Sequence, residues 1–66
     1  MIYPTKRRVI VNTKSGNAFR GILWKRRFEY LTLRQAELLK SGHEAVTMDG
    51  EVFIFNKDVD FVQVLK

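Results

Sequence analysis

The stretch 24–30 has the side chains best suited to contact a ligand. Between its aromatic residues stand three consecutive cations: Lys25, Arg26 and Arg27. Binding of single-stranded nucleic acid combines cations that neutralise phosphates with aromatic rings that stack on bases. We therefore predict that the cations hold phosphates while Phe28 or Tyr30 stacks a base. The competing interpretation is that Trp24 and Phe28 cap the core, that Tyr30 faces outward and that the cations are only solvated.

A second basic cluster stands near the amino terminus, before the first apolar run. Its members are Lys6, Arg7 and Arg8. This cluster either folds onto the same face as the cations at 25–27 or extends into solvent. The solvated arm is the commoner behaviour of terminal segments.

The sequence contains few residues that could form a catalytic or metal-binding site. The single histidine, His43, lies in a predicted loop with no Cys and no second His in the chain, so we interpret it as a solvated loop residue. The seven carboxylates are scattered, no Ser or Thr has an acid–base partner near it in sequence, and no Gly-rich phosphate loop occurs. We expect that the protein is not an enzyme and holds neither a cofactor nor a metal.

Composition predicts one small basic domain over residues 1–66. A chain of 66 residues with 45% hydrophobic residues can form one modest core, and the absence of Cys leaves oligomerisation as the means of reinforcing it. Twelve Lys and Arg against seven Asp and Glu give a charge of +5, which favours a polyanionic partner but also serves solubility. Neither a membrane span nor a secretion signal is visible, so we expect a cytoplasmic protein without a membrane partner.

Alternation of apolar and polar residues predicts a mostly β chain. Strands are expected over residues 9–13, 18–23, 46–48, 51–55 and 59–65. Gly21, inside the second of these, indicates a sharp bend or a close backbone approach. Asp49 and Gly50 predict a two-residue hairpin, and residues 56–58 a brief turn.

Residues 32–40 have the signals of a short helix instead. The segment is rich in good helix formers, Thr32 and Gln35 have the spacing of a capping box, and Gly42 is placed to end a helix. Taken alone, these residues favour a helix.

The spacing of apolar and glycine positions resembles the Sm/LSm family of RNA-binding proteins. The family's first motif is an alternating strand, a turn Gly, an aromatic residue, a second Gly and a Leu. The matching positions are Val9, Val11, Gly16, Phe19, Gly21 and Leu23. The family's third strand resembles Leu31, Leu33 and Ala36, and the apolar spacing of its second motif resembles Ile54, Val59, Phe61 and Val62.

This resemblance implies a five-stranded, strongly bent open barrel, Sm-like or SH3-like. We expect the family's N-terminal helix to be missing, since only eight residues precede Val9. The resemblance also implies a strand rather than a helix at residues 30–37. The chain departs from the family's binding motifs, because Phe55 and Asn56 replace an Arg-Gly pair and the usual loop Asp and Asn are missing. The predicted nucleic-acid site consists of Lys25, Arg26, Arg27, Phe28, Tyr30, Asn56 and Lys57.

Residues 52–55 are apolar on both faces of their predicted strand, which a lone small barrel does not usually need. An open barrel exposes strand edges, and the resemblance implies that the fourth strand of one subunit pairs with the fifth of the next to close a ring. We predict a ring of five to seven identical subunits with an interface formed by Val52, Phe53, Ile54, Phe55, Phe61, Val62 and Val64. The alternative is a two-sided core strand within one barrel.

Three functions therefore stay open. The first is a ring that binds RNA or single-stranded DNA with low sequence specificity. The second is a phage or accessory assembly protein whose ring contacts other proteins, since the chain also resembles small Sm-like proteins of bacteriophages, which would place it in the host cytoplasm. The third is an inhibitor of a host enzyme.

Overall fold

The computed structural model describes residues 5–40 and 42–66. Five antiparallel strands form one sheet: β1 Arg7–Thr13, β2 Ala18–Arg26, β3 Tyr30–Leu39, β4 Val46–Phe55 and β5 Val59–Val64. A 3-10 turn, Asn56–Asp58, joins the last two strands. The strand order is β4-β3-β2-β1-β5, so β4 and β5 lie at the two edges and the sheet does not close. The predicted five-stranded open architecture is confirmed.

One face of the curved sheet forms the core. Its buried apolar side chains are Val9, Val11, Leu23, Leu31, Leu33, Ala36 and Ile54. Each fully buried aliphatic side chain of this kind contributes roughly 1.5–3 kcal/mol of transfer free energy. These positions come from the first four strands, and the partly buried Val59 and Val62 add the contribution of β5. The core therefore unites the whole sheet.

Three strands bend at the same place across the sheet. The pairing of β2 with β3 is irregular between Arg20 and Ile22, around Gly21, and the pairing of β3 with β4 is irregular around Gln35. Gln35 and Gly50 both have positive φ, 51° and 75°. A Cβ on Gly21 would lie 3.0 Å from the Ala36 Cα and from the Arg34 carbonyl oxygen. Gly21 thus permits a close backbone approach at the bend, as its position predicts.

The helix signal over residues 32–40 is wrong, and the strand implied by the resemblance is confirmed. β3 has a partner on both sides, so its backbone hydrogen bonds and its buried side chains stabilise the strand against local helix propensity. Gln35 adds one residue at the bend, and the buried positions therefore run 31, 33 and 36 instead of strictly alternating. A bulge of this kind imitates helical spacing.

The predicted hairpin at Asp49 and Gly50 is also wrong. β4 is continuous from Val46 to Phe55 and pairs with β3 on both sides of this dipeptide, with Ala36 opposite Met48 and Arg34 opposite Glu51. Two residues of β4 thus oppose the single Gln35. The positive φ of Gly50 serves a bulge at the bend rather than a chain reversal.

The amino-terminal part of the sheet begins earlier than expected, because β1 starts at Arg7. The predicted absence of an N-terminal helix falls partly on residues 1–4, which lie outside the described residues, while Thr5 and Lys6 lead into β1 without a helical turn. Residues 42–45 form most of the predicted β3–β4 loop, whose residue 41 also lies outside the described part. Within residues 5–40 and 42–66, no helix is long and apolar enough to cross a membrane.

Candidate nucleic-acid interface

The basic stretch belongs to the end of β2 and to the tight turn that follows it. Lys25 and Arg26 are the last residues of β2, and Arg27 opens the turn with its backbone N–H donating to the Tyr30 carbonyl at 2.7 Å. The Lys25 backbone N–H donates to the Thr32 hydroxyl at 3.1 Å, where the register shifts around Trp24. All three cations are exposed. Strand pairing and the turn therefore hold their backbone in place, and their side chains are exposed.

Asn56 joins the β2–β3 turn to the β4–β5 turn. Its side-chain amide nitrogen donates to the carbonyl oxygens of Arg27 at 3.0 Å and Phe28 at 2.9 Å. Its backbone N–H donates to the Glu29 carbonyl at 2.9 Å. These three bonds use both the side-chain and the main-chain donors of one residue. Asn56 is thus a positioning residue, and two loops distant in sequence form one surface around it.

A shallow cavity of about 340 Å³ lies where the two turns meet. Its lining residues are Phe28, Glu29, Phe55, Asn56 and Lys57. The Phe28 ring at the tip of the turn is 98% exposed and Phe55 is 58% exposed. Such rings are uncovered apolar surface, and Lys57 beside them is an exposed cation. The cavity thus offers stacking surfaces beside positive charge, with Glu29 as its single carboxylate.

The remaining aromatic residues of the stretch are partly covered. The Tyr30 ring lies 5.1 Å from the ring of Phe53 at an angle of 41°, so Tyr30 packs on β4. Trp24 lies half-buried between two cations, with Lys6 Nζ 4.7 Å and Arg34 Cζ 4.0 Å from its ring. The interpretation that Phe28 belongs to the core is wrong, because the turn projects Phe28 into solvent, while Tyr30 is half-buried against Phe53.

Comparison with solved structures identifies the architecture. A heptameric archaeal Sm protein matches with a TM-score of 0.81 at 22% identity, covering 92% of this chain and 88% of the other. The Sm protein of Pyrococcus abyssii in complex with a uridine heptamer matches at 0.82 and 27% identity, covering 92% and 86%. The chain has the Sm-like fold.

A heptameric Sm protein of P. aerophilum agrees with this assignment, at a TM-score of 0.82 and 22% identity over 92% of this chain and 81% of the other. No protein-family model and no curated protein matches the sequence. The Sm-like architecture is therefore detected by comparison of backbone structures and not by comparison of sequences. The resemblance to bacteriophage proteins stays a prediction.

The predicted interface residues of the Sm-like sheet fall into three groups. Phe53, Phe55, Phe61 and Val64 are exposed large apolar residues on the two edge strands. Val52 and Val62 are half-buried and pack against the core. Ile54 is 5% exposed and its side chain belongs to the core, so its place in the interface stays a prediction. The exposure of Phe53 and Phe55 also rules out the alternative of a two-sided core strand within the single chain.

Two features of this Sm-like surface were not predicted from the sequence. Asn56 joins the two turns through carbonyl groups 28 and 29 residues away, and no local sequence pattern predicts hydrogen bonds over that separation. The amino-terminal cations are the second feature, because the expectation of a solvated arm is wrong for Arg7 and Arg8. Both belong to β1 and are paired with β2.

Proposed function

We propose that this protein assembles into a ring of five to seven identical subunits that binds single-stranded RNA or DNA with low sequence specificity. Its role is binding rather than catalysis, and its place is the cytoplasm. The observation that carries the proposal is the junction of the two turns at Asn56, which brings Phe28, Lys57 and the backbone of Arg27 together. The preserved Sm-like architecture supports it.

Assembly is supported by the two free strand edges. β4 and β5 each have one paired neighbour within the sheet, so the other edge of each strand presents unpaired backbone groups. Exposed apolar residues accompany both edges, Phe53 and Phe55 on β4 and Phe61 and Val64 on β5. Pairing β4 of one copy with β5 of the next would satisfy these groups and cover these rings. Repetition of one such head-to-tail contact gives a closed ring when the rotation between neighbouring subunits closes.

Nucleic-acid binding is supported by the combination of charge and exposed aromatic surface. Phosphates are neutralised by cations, and bases stack on rings of any sequence context. Lys25, Arg27 and Lys57 supply exposed cations around the junction, and Phe28 supplies a ring without a partner in the described chain. The Pyrococcus abyssii Sm protein is complexed with a uridine heptamer, and a single strand is the ligand class that we extend to this chain.

The proposed function is tested by titrating the protein with labelled single-stranded RNA and DNA at two salt concentrations. We expect the affinity to fall steeply with salt, because each phosphate contact releases counterions. Arg27→Ala should reduce the slope of log K against log salt by about 0.7 for each phosphate that Arg27 neutralises. Lys14→Ala, an exposed cation at the far end of β1, is the matched control and should leave the slope nearly unchanged. Absence of binding at low salt would favour the assembly-protein alternative.

Stacking on Phe28 is tested separately from charge. Phe28→Ala should weaken binding by about 1–3 kcal/mol and leave the salt slope unchanged, because a ring contributes stacking and no counterion release. The free energy of unfolding should stay the same, since the ring is 98% exposed in the single chain. Phe28→Trp is the matched control and should retain affinity. Equal affinities of the Ala variant and the unmodified protein would remove Phe28 from the site.

A further inference from the structure

The two basic clusters of the sequence lie at one end of the sheet. β1 and β2 are antiparallel, and Arg7 pairs with Leu23 and Arg8 with Ile22. The Lys6 backbone N–H donates to the Leu23 carbonyl at 2.6 Å. The start of β1 is therefore adjacent to the end of β2. We call this region the basic end, formed by Lys6, Arg7, Arg8, Lys25, Arg26 and Arg27.

The basic end concentrates the positive charge of the molecule. It contains six of the twelve Lys and Arg residues, with Glu29 in the adjoining turn, and the remaining six Lys and Arg are matched by the other six Asp and Glu. Two cations outside the basic end form ion pairs, Arg20 with Glu37 and Arg34 with Glu51. Among the described residues, no carboxylate forms an ion pair with Lys6, Arg7 or Arg8. Cations gathered in one region produce a field that attracts polyanions.

The amino-terminal half of the basic end is held by the sheet. The Leu65 backbone N–H donates to the Arg8 carbonyl at 2.9 Å, and Arg7 Nη2 donates to the Leu65 carbonyl at 3.4 Å. Lys6 Nζ lies 4.7 Å from the ring of Trp24. These contacts hold the backbone at Arg8 and the side chains of Arg7 and Lys6 before any ligand arrives. A charge that is already positioned loses less entropy on binding than a charge on a free arm.

We propose that the basic end is a phosphate track that extends the nucleic-acid site from the β2–β3 turn along the start of β1. This inference rests on the proposed function and names its ligand more closely as the phosphodiester backbone of a single strand longer than the nucleotides at the turn. Arg7 lies opposite Leu23, and Arg27 follows Leu23 by four residues. This separation is about 13 Å along a strand. More than one nucleotide of an extended strand is needed to follow that distance.

The track predicts an effect that depends on oligonucleotide length. We compare the double variant Arg7→Gln and Arg8→Gln with the double variant Lys14→Gln and Lys40→Gln, which removes the same charge at the opposite end of the sheet. Each is titrated with single strands of about four and about twenty nucleotides, a range that brackets typical single-strand sites. For the long strand, the arginine variant should lose about tenfold in affinity and about 1.4 in salt slope, the value for two phosphate contacts. For the short strand it should match the lysine variant.

Three results would decide against the track or against its premise. If the unmodified protein binds both strands and the two double variants behave alike with the long one, the basic end is only a solvated cluster. If the arginine variant weakens both lengths equally, its arginines act at the turn or through the general field. If the unmodified protein binds neither strand at low salt, the proposed function itself fails. A third double variant, Arg7→Lys and Arg8→Lys, should restore the slope, which separates charge from any loss of folding.

Discussion

Replacing Phe55 by Asp should convert the assembled protein into monomers while the barrel stays folded. In the single chain Phe55 lies on edge strand β4 and is 58% exposed, so a carboxylate there remains hydrated and costs the monomer little. In a ring that pairs β4 with β5 of a neighbour, the same carboxylate would be buried without a partner. Burial of an unpaired charge costs several kcal/mol, repeated at every interface. Sedimentation and light scattering of the two proteins at equal concentration measure the change.

A matched control places the same charge on the same residue type across the cavity from Phe55, outside the edge strands. Phe28→Asp introduces a carboxylate at the tip of the β2–β3 turn, 98% exposed, and should leave the assembly intact. Val62→Asp tests the interface less cleanly, because Val62 also packs against the core and its replacement affects folding. A monomeric unmodified protein at micromolar concentration would contradict the ring.

Replacing Gly21 by Val should remove a large part of the stability of the barrel. An added Cβ would lie 3.0 Å from the Ala36 Cα and from the Arg34 carbonyl oxygen, which are backbone atoms and cannot rotate away. Overpacking costs about 1–3 kcal/mol where side chains can adjust, and we expect more here because β2 and β3 must separate. A domain of this size has a stability of roughly 3–10 kcal/mol. Denaturant unfolding followed by circular dichroism measures the decrease.

A second substitution distinguishes a backbone clash from a side-chain clash. Ala36→Gly in the Gly21→Val background removes the Ala36 Cβ, which lies 3.3 Å from the added atom, but leaves both backbone atoms at 3.0 Å. It should therefore restore little stability. Full recovery of the free energy of unfolding would show that β2 and β3 can accommodate the added side chain. That result would rule out a backbone clash at Gly21.

The predictions from sequence succeeded where short-range patterns reflect burial on one face of a strand. Val9, Val11 and Leu23, which match the Sm/LSm spacing, lie in strands that alternation predicts, and all three are buried. They failed at the bend, because Gln35 and Gly50 interrupt the alternation with a bulge. A bulge is stabilised by pairing with neighbouring strands, and a single segment contains no information about its neighbours. The helix at residues 32–40 and the hairpin at Asp49 were both wrong for this reason.

The sequence by itself determined the mostly β composition, the basic charge, the candidate chemistry of cations beside aromatic rings and, through its resemblance, the Sm-like architecture. Only the tertiary structure decided which ring is free and which cations act together. Tyr30 and Phe28 are two residues apart, yet Tyr30 packs on Phe53 and Phe28 projects into solvent. Arg7 and Arg27 are far apart in sequence and lie at one end because β1 and β2 are antiparallel. Local sequence patterns indicate the secondary structure that a segment prefers. The exposure of a side chain and the local density of charge depend instead on contacts between segments distant along the chain.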